Sequence, residues 1–184
     1  MQVEARITTV SLASLGRDEM RDCVRLWRSV WPKDGNDLEA DVDEKLRYAR
    51  EDSPLHRAEQ IHLLRNGHRV LAQARSFIRS IHTPNGVCDI LALAGVCSDP
   101  ALRGTGLGRM VVLAAFERLG PELPLSLFQT KVPGFYEKLG SRRIDNPIVN
   151  STGDGSTFWD PIVMIHPATA DWPEGEIDLL GPGW

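Results

Sequence analysis

The sequence has few cysteines, no excess of basic residues and no long hydrophobic run. Its three cysteines, Cys23, Cys88 and Cys97, show no C-x-x-C spacing, so neither a disulfide framework nor a zinc site is expected. The longest apolar runs, residues 90–96 and 110–116, are too short to span a bilayer. The formal net charge is −4, whereas nucleic-acid-binding domains are usually basic. We therefore expect no metal, no membrane span and no nucleic-acid partner.

The sequence also lacks repeats, low-complexity tracts and a secretory signal. Its N-terminus has no basic segment followed by an apolar one, and a secretory signal would need both. We therefore expect a cytoplasmic protein. The 184 residues are 42% hydrophobic and 25% charged, which is ordinary for a soluble globular chain. That length suits one domain with a full core, so residues 1–184 are predicted to form a single domain.

Hydrophobic periodicity and turn residues predict a mixed α/β or α+β fold. Apolar residues at helical spacing predict a helix over residues 17–31, and a more polar helix is expected over 36–50. Asn66-Gly67 predicts a hairpin with a type I′ turn. The nearly all-apolar stretch 87–96 predicts a central strand buried on both faces. Further helices are predicted at residues 107–119 and 133–139, and further strands at 7–10, 60–65, 69–81, 123–129, 141–148 and 157–165.

A glycine-rich segment joins the central strand to the helix predicted at residues 107–119. It reads Arg103-Gly104-Thr105-Gly106-Leu107-Gly108. Glycine lets the backbone approach a ligand closely, and a helix start presents unpaired N–H groups and a positive dipole end. The segment therefore predicts a cradle for a pyrophosphate. It is neither a Walker A loop, which ends in Gly-Lys-Ser/Thr, nor a G-x-G-x-x-G dinucleotide loop.

Two motifs together resemble those of the GNAT superfamily of N-acetyltransferases. Arg103-x-x-Gly106-x-Gly108 matches the signature R/Q-x-x-G-x-G/A. The segment Gly134-Phe-Tyr-Glu-Lys-Leu-Gly140 resembles the second motif, F-Y-x-x-x-G-F, with Ser141 in place of the closing aromatic residue. The resemblance implies the GNAT fold, a single central mixed sheet with helices on both faces. It also implies an enzyme that moves an acetyl group from acetyl-CoA to a primary amine by direct attack.

The resemblance further implies which residues hold coenzyme A. In the family, the strand ahead of the loop pairs with pantetheine and the loop N–H groups hold the pyrophosphate. Positive charge on Arg103 and Arg109 favours the anionic ligand. The matching positions are Val96, Cys97 and Ser98 for pantetheine, and Arg103, Gly104, Thr105, Gly106, Leu107, Gly108 and Arg109 for the pyrophosphate.

The catalytic groups are predicted only in part. The tyrosine of the second motif, Tyr136, is expected to protonate the leaving thiolate, because a phenol with a pKa of about 10 is protonated at neutral pH. A backbone N–H near residues 96–98 is expected to stabilise the oxyanion, since family strands carry a bulge there. His82 and Asp89 are candidates for the base, and neither is assigned. Cys97 is expected to be a buried apolar residue and not a nucleophile.

The C-terminal segment, residues 171–184, is acidic and contains two tryptophans. After Arg143 there is no lysine or arginine, but there are seven acidic residues. The segment resembles the tails of aminoglycoside 2′-N-acetyltransferases and nodulation acyltransferases, which act on amino sugars. Acidic and aromatic side chains suit a cation, so we predict a docked tail, a small cationic acceptor such as an amino sugar, and substrate contacts at Asp178 and Trp184.

Other functions remain open within the same family. The protein can be an acyltransferase for longer acyl chains, a protein lysine or N-terminal acetyltransferase, or a non-catalytic acyl-CoA sensor. Retention of Tyr136 favours an enzyme over a sensor. A homodimer is also open, because GNAT enzymes often dimerise.

Overall fold

The computed structural model describes residues 5–35 and 37–184. Within them, short 3₁₀ turns follow β1 (Leu12–Ser14) and β4 (Pro100–Leu102). The helices are α1 (Arg17–Val30), α2 (Leu38–Arg50), α3 (Leu107–Phe116) and α4 (Pro133–Glu137). The strands are β1 (Arg6–Ser11), β2 (Arg57–Asn66), β3 (Arg69–Thr83), β4 (Gly86–Ser98), β5 (Ser126–Thr130), β6 (Arg142–Ile144), β7 (Ile148–Val149), β8 (Ile162–His166) and β9 (Ile177–Asp178).

The strands pair into one mixed sheet. Its order is β1-β2-β3-β4-β5-β8-β6, and β9 pairs with both β3 and β7. The β4–β5 pair is parallel, whereas β1–β2 and β5–β8 are antiparallel. This confirms the predicted mixed α/β class. None of the helices in the described residues is long and apolar enough to cross a membrane.

The chain divides into two compact units, and each has its own hydrophobic core. The first core includes Met20 and Val24 of α1, and the second includes Phe77 and Ile90 of the sheet. The single-domain organisation stays a prediction. The first unit covers the described residues of Met1–Ser53 with Ala58–Ser76 and Gly95–Phe116, and the second covers Pro54–Arg57, Phe77–Ala94 and Glu117–Trp184.

Helices α1 and α2 of the first unit begin at clear local signals. The Glu19 carboxylate accepts a hydrogen bond from the Gly16 N–H at 3.1 Å, at the start of α1. The Asp37 side chain accepts from the Glu39 N–H at 3.2 Å, at the start of α2. Each bond satisfies an N–H that a helix start leaves unpaired. Both helices lie where the sequence predicts them, although the predicted first residue of α2, Asn36, lies outside the described residues.

Several predicted boundaries and one turn type are wrong. In the β2–β3 turn only Gly67 has a positive φ, of 58°, so the turn is not type I′, which needs two such residues. The strand predicted at 141–148 is interrupted over residues 145–147 and forms β6 and β7 instead, since Pro147 has no N–H to donate to a ladder. Helix α3 ends at Phe116, before Gly120 and Pro121, and not at residue 119.

Candidate functional site

Strand β4 changes its backbone conformation at Gly95. The side chains of residues 90–94 are buried, and Gly95 then adopts a left-handed φ of 56°. A left-handed glycine inside a strand is typical of a bulge. Among the described residues, only Leu91 and Ala92 of β4 pair with β5, although β4 continues to Ser98. Strand β4 is therefore distorted at Gly95, one residue before the segment 96–98 in which a bulge is expected.

The loop that follows β4 is held in shape by its own polar groups. The Asp99 carboxylate accepts from the Ala101 N–H at 2.9 Å, and the Thr105 hydroxyl donates to the Leu102 carbonyl at 2.6 Å. Gly104 and Gly106 have left-handed φ angles of 82° and 87°. A Cβ added at either glycine would meet no atom within 4 Å. Glycine is therefore favoured at both positions by the left-handed backbone, and not by a lack of space. The surface above the two glycines is open.

Helix α3 begins at the end of this glycine loop, which we define as residues 103–106. The Met110 N–H donates to the Gly106 carbonyl at 3.2 Å, so the N–H groups of residues 107–109 precede the first intrahelical donor and have no acceptor within the helix. The side chains of Val111, Val112 and Ala115 are fully buried and anchor the helix. Arg109 is exposed, like Arg103 in the loop. Unpaired N–H groups, a positive helix end and two cations fit a pyrophosphate.

Tyr136 lies on α4, in the second unit. Its ring centroid is 4.6 Å from that of Phe128 and 4.8 Å from that of Phe135, and the residue is 6% exposed. Burial raises the pKa of its phenol above the ordinary value. The hydroxyl is therefore protonated at neutral pH, as a general acid must be. The acid role itself stays a prediction.

The two candidates for the base, Asp89 and His82, lie in surroundings that do not favour that role. The Asp89 carboxylate accepts hydrogen bonds from Arg57 at 2.5 Å and from the Ser80 hydroxyl at 2.7 Å. Its pKa is lowered chiefly by the bond from Arg57, so it is a weak base in an exposed ion pair. His82 is exposed and pairs across the sheet with Asp178. Neither gains support as a base. No group of three metal-ligating side chains occurs in residues 5–35 and 37–184.

The C-terminal segment is docked, as predicted. Trp184 is 8% exposed, and its ring packs edge-on against Phe158 at 4.7 Å between centroids. Gln129 Nε2 donates to the Trp184 carbonyl at 2.5 Å. The Asp178 carboxylate accepts from the Ser151 and Leu180 N–H groups at 3.0 and 2.9 Å. Both residues thus have structural partners, and their contact with substrate stays a prediction.

A cavity that the sequence did not reveal lies within the first unit. It has a volume of about 80 Å³ and reaches from α1 and α2 to Gly95 of β4. We call it the α1–α2 cavity. Its lining side chains come from separate elements, so no local motif marks it. They are Leu12, Met20, Cys23, Val24, Trp27, Lys33, Asp41, Lys45, Tyr48, Ile61, Gln73 and Arg75.

Comparison with known proteins identifies the family. A model of the acetyltransferase (GNAT) domain matches residues 11–143. No curated protein matches the chain. A GCN5-related N-acetyltransferase from Kribbella flavida is similar in structure (18% identity, TM-score 0.59), and the alignment covers 77% of this chain and 34% of that protein. This chain therefore spans about a third of that relative.

Two further solved structures are similar over nearly their whole length. An acetyltransferase from Trypanosoma brucei has 17% identity and a TM-score of 0.56, with 77% of this chain and 95% of that one covered. Glucosamine-6-phosphate N-acetyltransferase from Arabidopsis thaliana has 17% identity and a TM-score of 0.54, with coverages of 85% and 99%. These likenesses confirm the predicted GNAT fold. With the domain match, they establish that this chain belongs to the GNAT family of acetyltransferases, whose members use acetyl-CoA as co-substrate.

Proposed function

We propose that the protein transfers the acetyl group of acetyl-CoA to the primary amine of a small molecule. The observation that carries this proposal is the glycine loop ahead of α3. Its two left-handed glycines and the N–H groups of residues 107–109 form an open cradle next to two exposed arginines. Such a cradle binds phosphate groups through backbone donors and charge together.

The remaining contacts to acetyl-CoA are assigned to β4. Residues 96–98 follow the left-handed Gly95 and continue past the last pair with β5. Strand edges without a neighbour bind extended ligands through main-chain hydrogen bonds. We therefore assign Val96, Cys97 and Ser98 to the pantetheine arm, and an N–H of this segment to the carbonyl oxygen of the acetyl group.

Direct attack by the amine is favoured over an acetyl-cysteine route. Cys97 is 5% exposed, and burial raises the pKa of its thiol to about 12. A thiol with such a pKa is protonated at neutral pH and is a poor nucleophile. The acetyl thioester supplies an activated acyl group. Tyr136, protonated at neutral pH, is assigned to give a proton to the departing thiolate.

The proposal extends to the class of molecule that accepts the acetyl group. An amino sugar is a second candidate, supported by the fold shared with the glucosamine-6-phosphate enzyme and by the tail resemblance. The acidic tail alone gives little support for a cationic acceptor, because its Asp178 carboxylate already accepts two backbone hydrogen bonds. A longer acyl donor, a protein acceptor and an acyl-CoA sensor are alternatives that one assay separates.

The test combines acetyl-CoA binding by calorimetry with coenzyme A release across a panel of amines. Gly106→Val should weaken acetyl-CoA binding by about ten-fold or more, because a β-branched residue is strained at a left-handed φ and covers the cradle. Gly153→Val is the matched control, since Gly153 also has a positive φ, of 64°, with nothing within 4 Å of an added Cβ. Tyr136→Phe should lower kcat by about 10²-fold with acetyl-CoA affinity unchanged.

Other outcomes would redirect the proposal. Tight acetyl-CoA binding without release on any amine would support the sensor. Full activity of Tyr136→Phe would remove the acid assignment. Equal losses of affinity in Gly106→Val and Gly153→Val would show that backbone strain, and not the cradle, is responsible.

A further inference from the structure

We infer that the acceptor carries an anionic group, a carboxylate or a phosphate, and that Lys45 and Arg75 of the α1–α2 cavity bind it. The inference rests on the proposed function, because it names the class of amine that the same site takes. It also reverses the charge that the acidic tail predicts for the acceptor.

The position of the cavity connects it to the reacting segment of β4. Gly95 lines the cavity, and the residues assigned to the acetyl-pantetheine arm, 96–98, follow it directly. Adjacent Cα atoms are about 3.8 Å apart, so a ligand that fills the cavity ends within a few ångströms of that segment. Cys97 packs in the same core as Met20 and Val24, whose side chains line the cavity.

The polar lining is mostly cationic. Lys33, Lys45 and Arg75 face a single carboxylate, that of Asp41. The Asp41 carboxylate lies 3.5 Å from Arg28 Nε and 3.7 Å from Lys33 Nζ, so two cations already neutralise it. An additional cation in this cavity would meet like charges, whereas an anion would meet opposite ones.

Of the three cations that line the cavity, Lys45 is the one least neutralised by nearby carboxylates. Within the described residues its one ion pair is with Glu44, at 3.9 Å between Nζ and Oε1. Burial lowers the pKa of Lys45, and the nearby Arg75 and Lys33 lower it further, against Glu44 and Asp41, which raise it. The ammonium thus lies in a positive potential. A bound anionic ligand would relieve that repulsion. Arg75 lines the same cavity, with its Nη1 3.1 Å from Glu59 Oε1.

One further polar side chain of the cavity lining suits the amine. Gln73 is 6% exposed, lines the cavity, and its Oε1 has no hydrogen-bond partner in the described part of the chain. Buried amide oxygens are seldom left unpaired. An N–H of the acceptor would satisfy this oxygen. The cavity therefore offers an acceptor atom for an amine and cations for an anion.

The size and walls of the cavity limit the acceptor to a small group. A volume of about 80 Å³ holds only a handful of heavy atoms, since a cavity needs about 10–15 Å³ to hold one water molecule. Trp27 forms one wall, with Lys33 Nζ and Lys45 Nζ 5.8 and 5.7 Å from its ring centroid. Tyr48 forms another. An amine joined to an anion by a short spacer fits these dimensions.

The experiment measures coenzyme A release with matched acceptor pairs, at equal concentrations of neutral amine. Glycine against glycinamide tests a carboxylate, and 2-aminoethyl phosphate against 2-aminoethanol tests a phosphate. We expect the anionic member of at least one pair to have a kcat/KM about ten-fold higher or more, and the pair that responds identifies the anion. Lys45→Met should abolish this preference by raising KM, whereas Lys45→Arg should retain it.

Two further arms keep the test decisive. Arg47→Met is the matched control, because Arg47 is an exposed cation on the same helix that does not line the cavity, and the preference should persist in it. In the unmodified protein, propanoate should inhibit competitively against the amine and propanamide should not. Equal use of both members of both pairs would overturn the inference but leave the proposed function intact. Absence of release with every amine would overturn both.

Discussion

Two tryptophans each have a cation over the ring, and the surroundings of the two pairs differ. In the second unit, the Arg79 guanidinium lies 4.8 Å from the Trp184 ring centroid, and Arg79 is 0% exposed. In the first unit, the Lys45 ammonium lies 5.7 Å from the Trp27 ring centroid, and both side chains line a cavity. The contact has the same chemistry in both places.

The difference lies in what else each cation binds. Arg79 donates through Nε and Nη2 to the Leu179 carbonyl, at 3.3 and 3.0 Å, and so fixes the C-terminal segment. Lys45 has a single ion pair at 3.9 Å among the described residues and keeps donors for a ligand. A cation over a tryptophan therefore indicates binding only where its other donors remain available.

The largest expected loss of stability follows replacement of the buried Trp184. Trp184→Ala should lower the free energy of unfolding by about 3–5 kcal/mol, because a buried ring leaves a cavity. Trp27→Ala should cost only about 1–2 kcal/mol, since the Trp27 side chain is half-buried, but it should raise the KM for the acceptor. Denaturant unfolding followed by circular dichroism measures the first quantity. A larger loss for Trp27→Ala would reverse the comparison.

Replacing the two cations should also lower the free energy of unfolding more in the second unit than in the first, but by smaller amounts. Arg79→Met should cost about 1.5–3 kcal/mol, because it removes charge-assisted hydrogen bonds to the Leu179 carbonyl. Lys45→Met should cost about 1 kcal/mol or less, as expected for a partly exposed cation over a ring. The same unfolding measurement compares them. Equal losses would show that both cations are structural and would weaken the case for Lys45 as a ligand group.

Local features of the site could be predicted from the sequence. The glycine loop requires only left-handed backbone at Gly104 and Gly106 and a helix start after them, and both follow from neighbouring residues. Ile177, Leu179 and two tryptophans predict a docked tail, because such residues are unusual in a disordered end.

Features that depend on distant contacts could not be predicted. Trp184 looks like a stacking surface in the sequence, and only the fold places Phe77, Phe158 and Arg79 around it. Lys45 lies on a polar helix among other charges, so no pattern separates it from exposed Arg47. The side chains of the α1–α2 cavity come from two helices, two strands, the 3₁₀ turn after β1 and the connection between α1 and α2, and packing alone brings them together.

The smallest expected effect is a pH dependence of stability. Of the two cation–tryptophan pairs, only Lys45 with Trp27 should show it. The pKa of Lys45 is lowered from its usual 10.5 in the folded protein, first by burial and then by Arg75. Between the folded and unfolded pKa values the unfolded state binds more protons, so this contribution to stability rises with pH. The unfolding free energy of the unmodified protein relative to Lys45→Met should therefore rise as the pH approaches 10.5 from below.

Anion binding should change in the opposite direction over the same range. Loss of the Lys45 proton removes the charge that attracts the ligand, so the affinity for propanoate should fall as stability rises. Arg79 stays charged throughout, and the difference between the unmodified protein and Arg79→Met should be constant. Arg47→Met should retain both trends. Parallel changes in stability and propanoate affinity would mean that Lys45 does not hold the anion, because one deprotonation can increase both only if the ligand binds elsewhere.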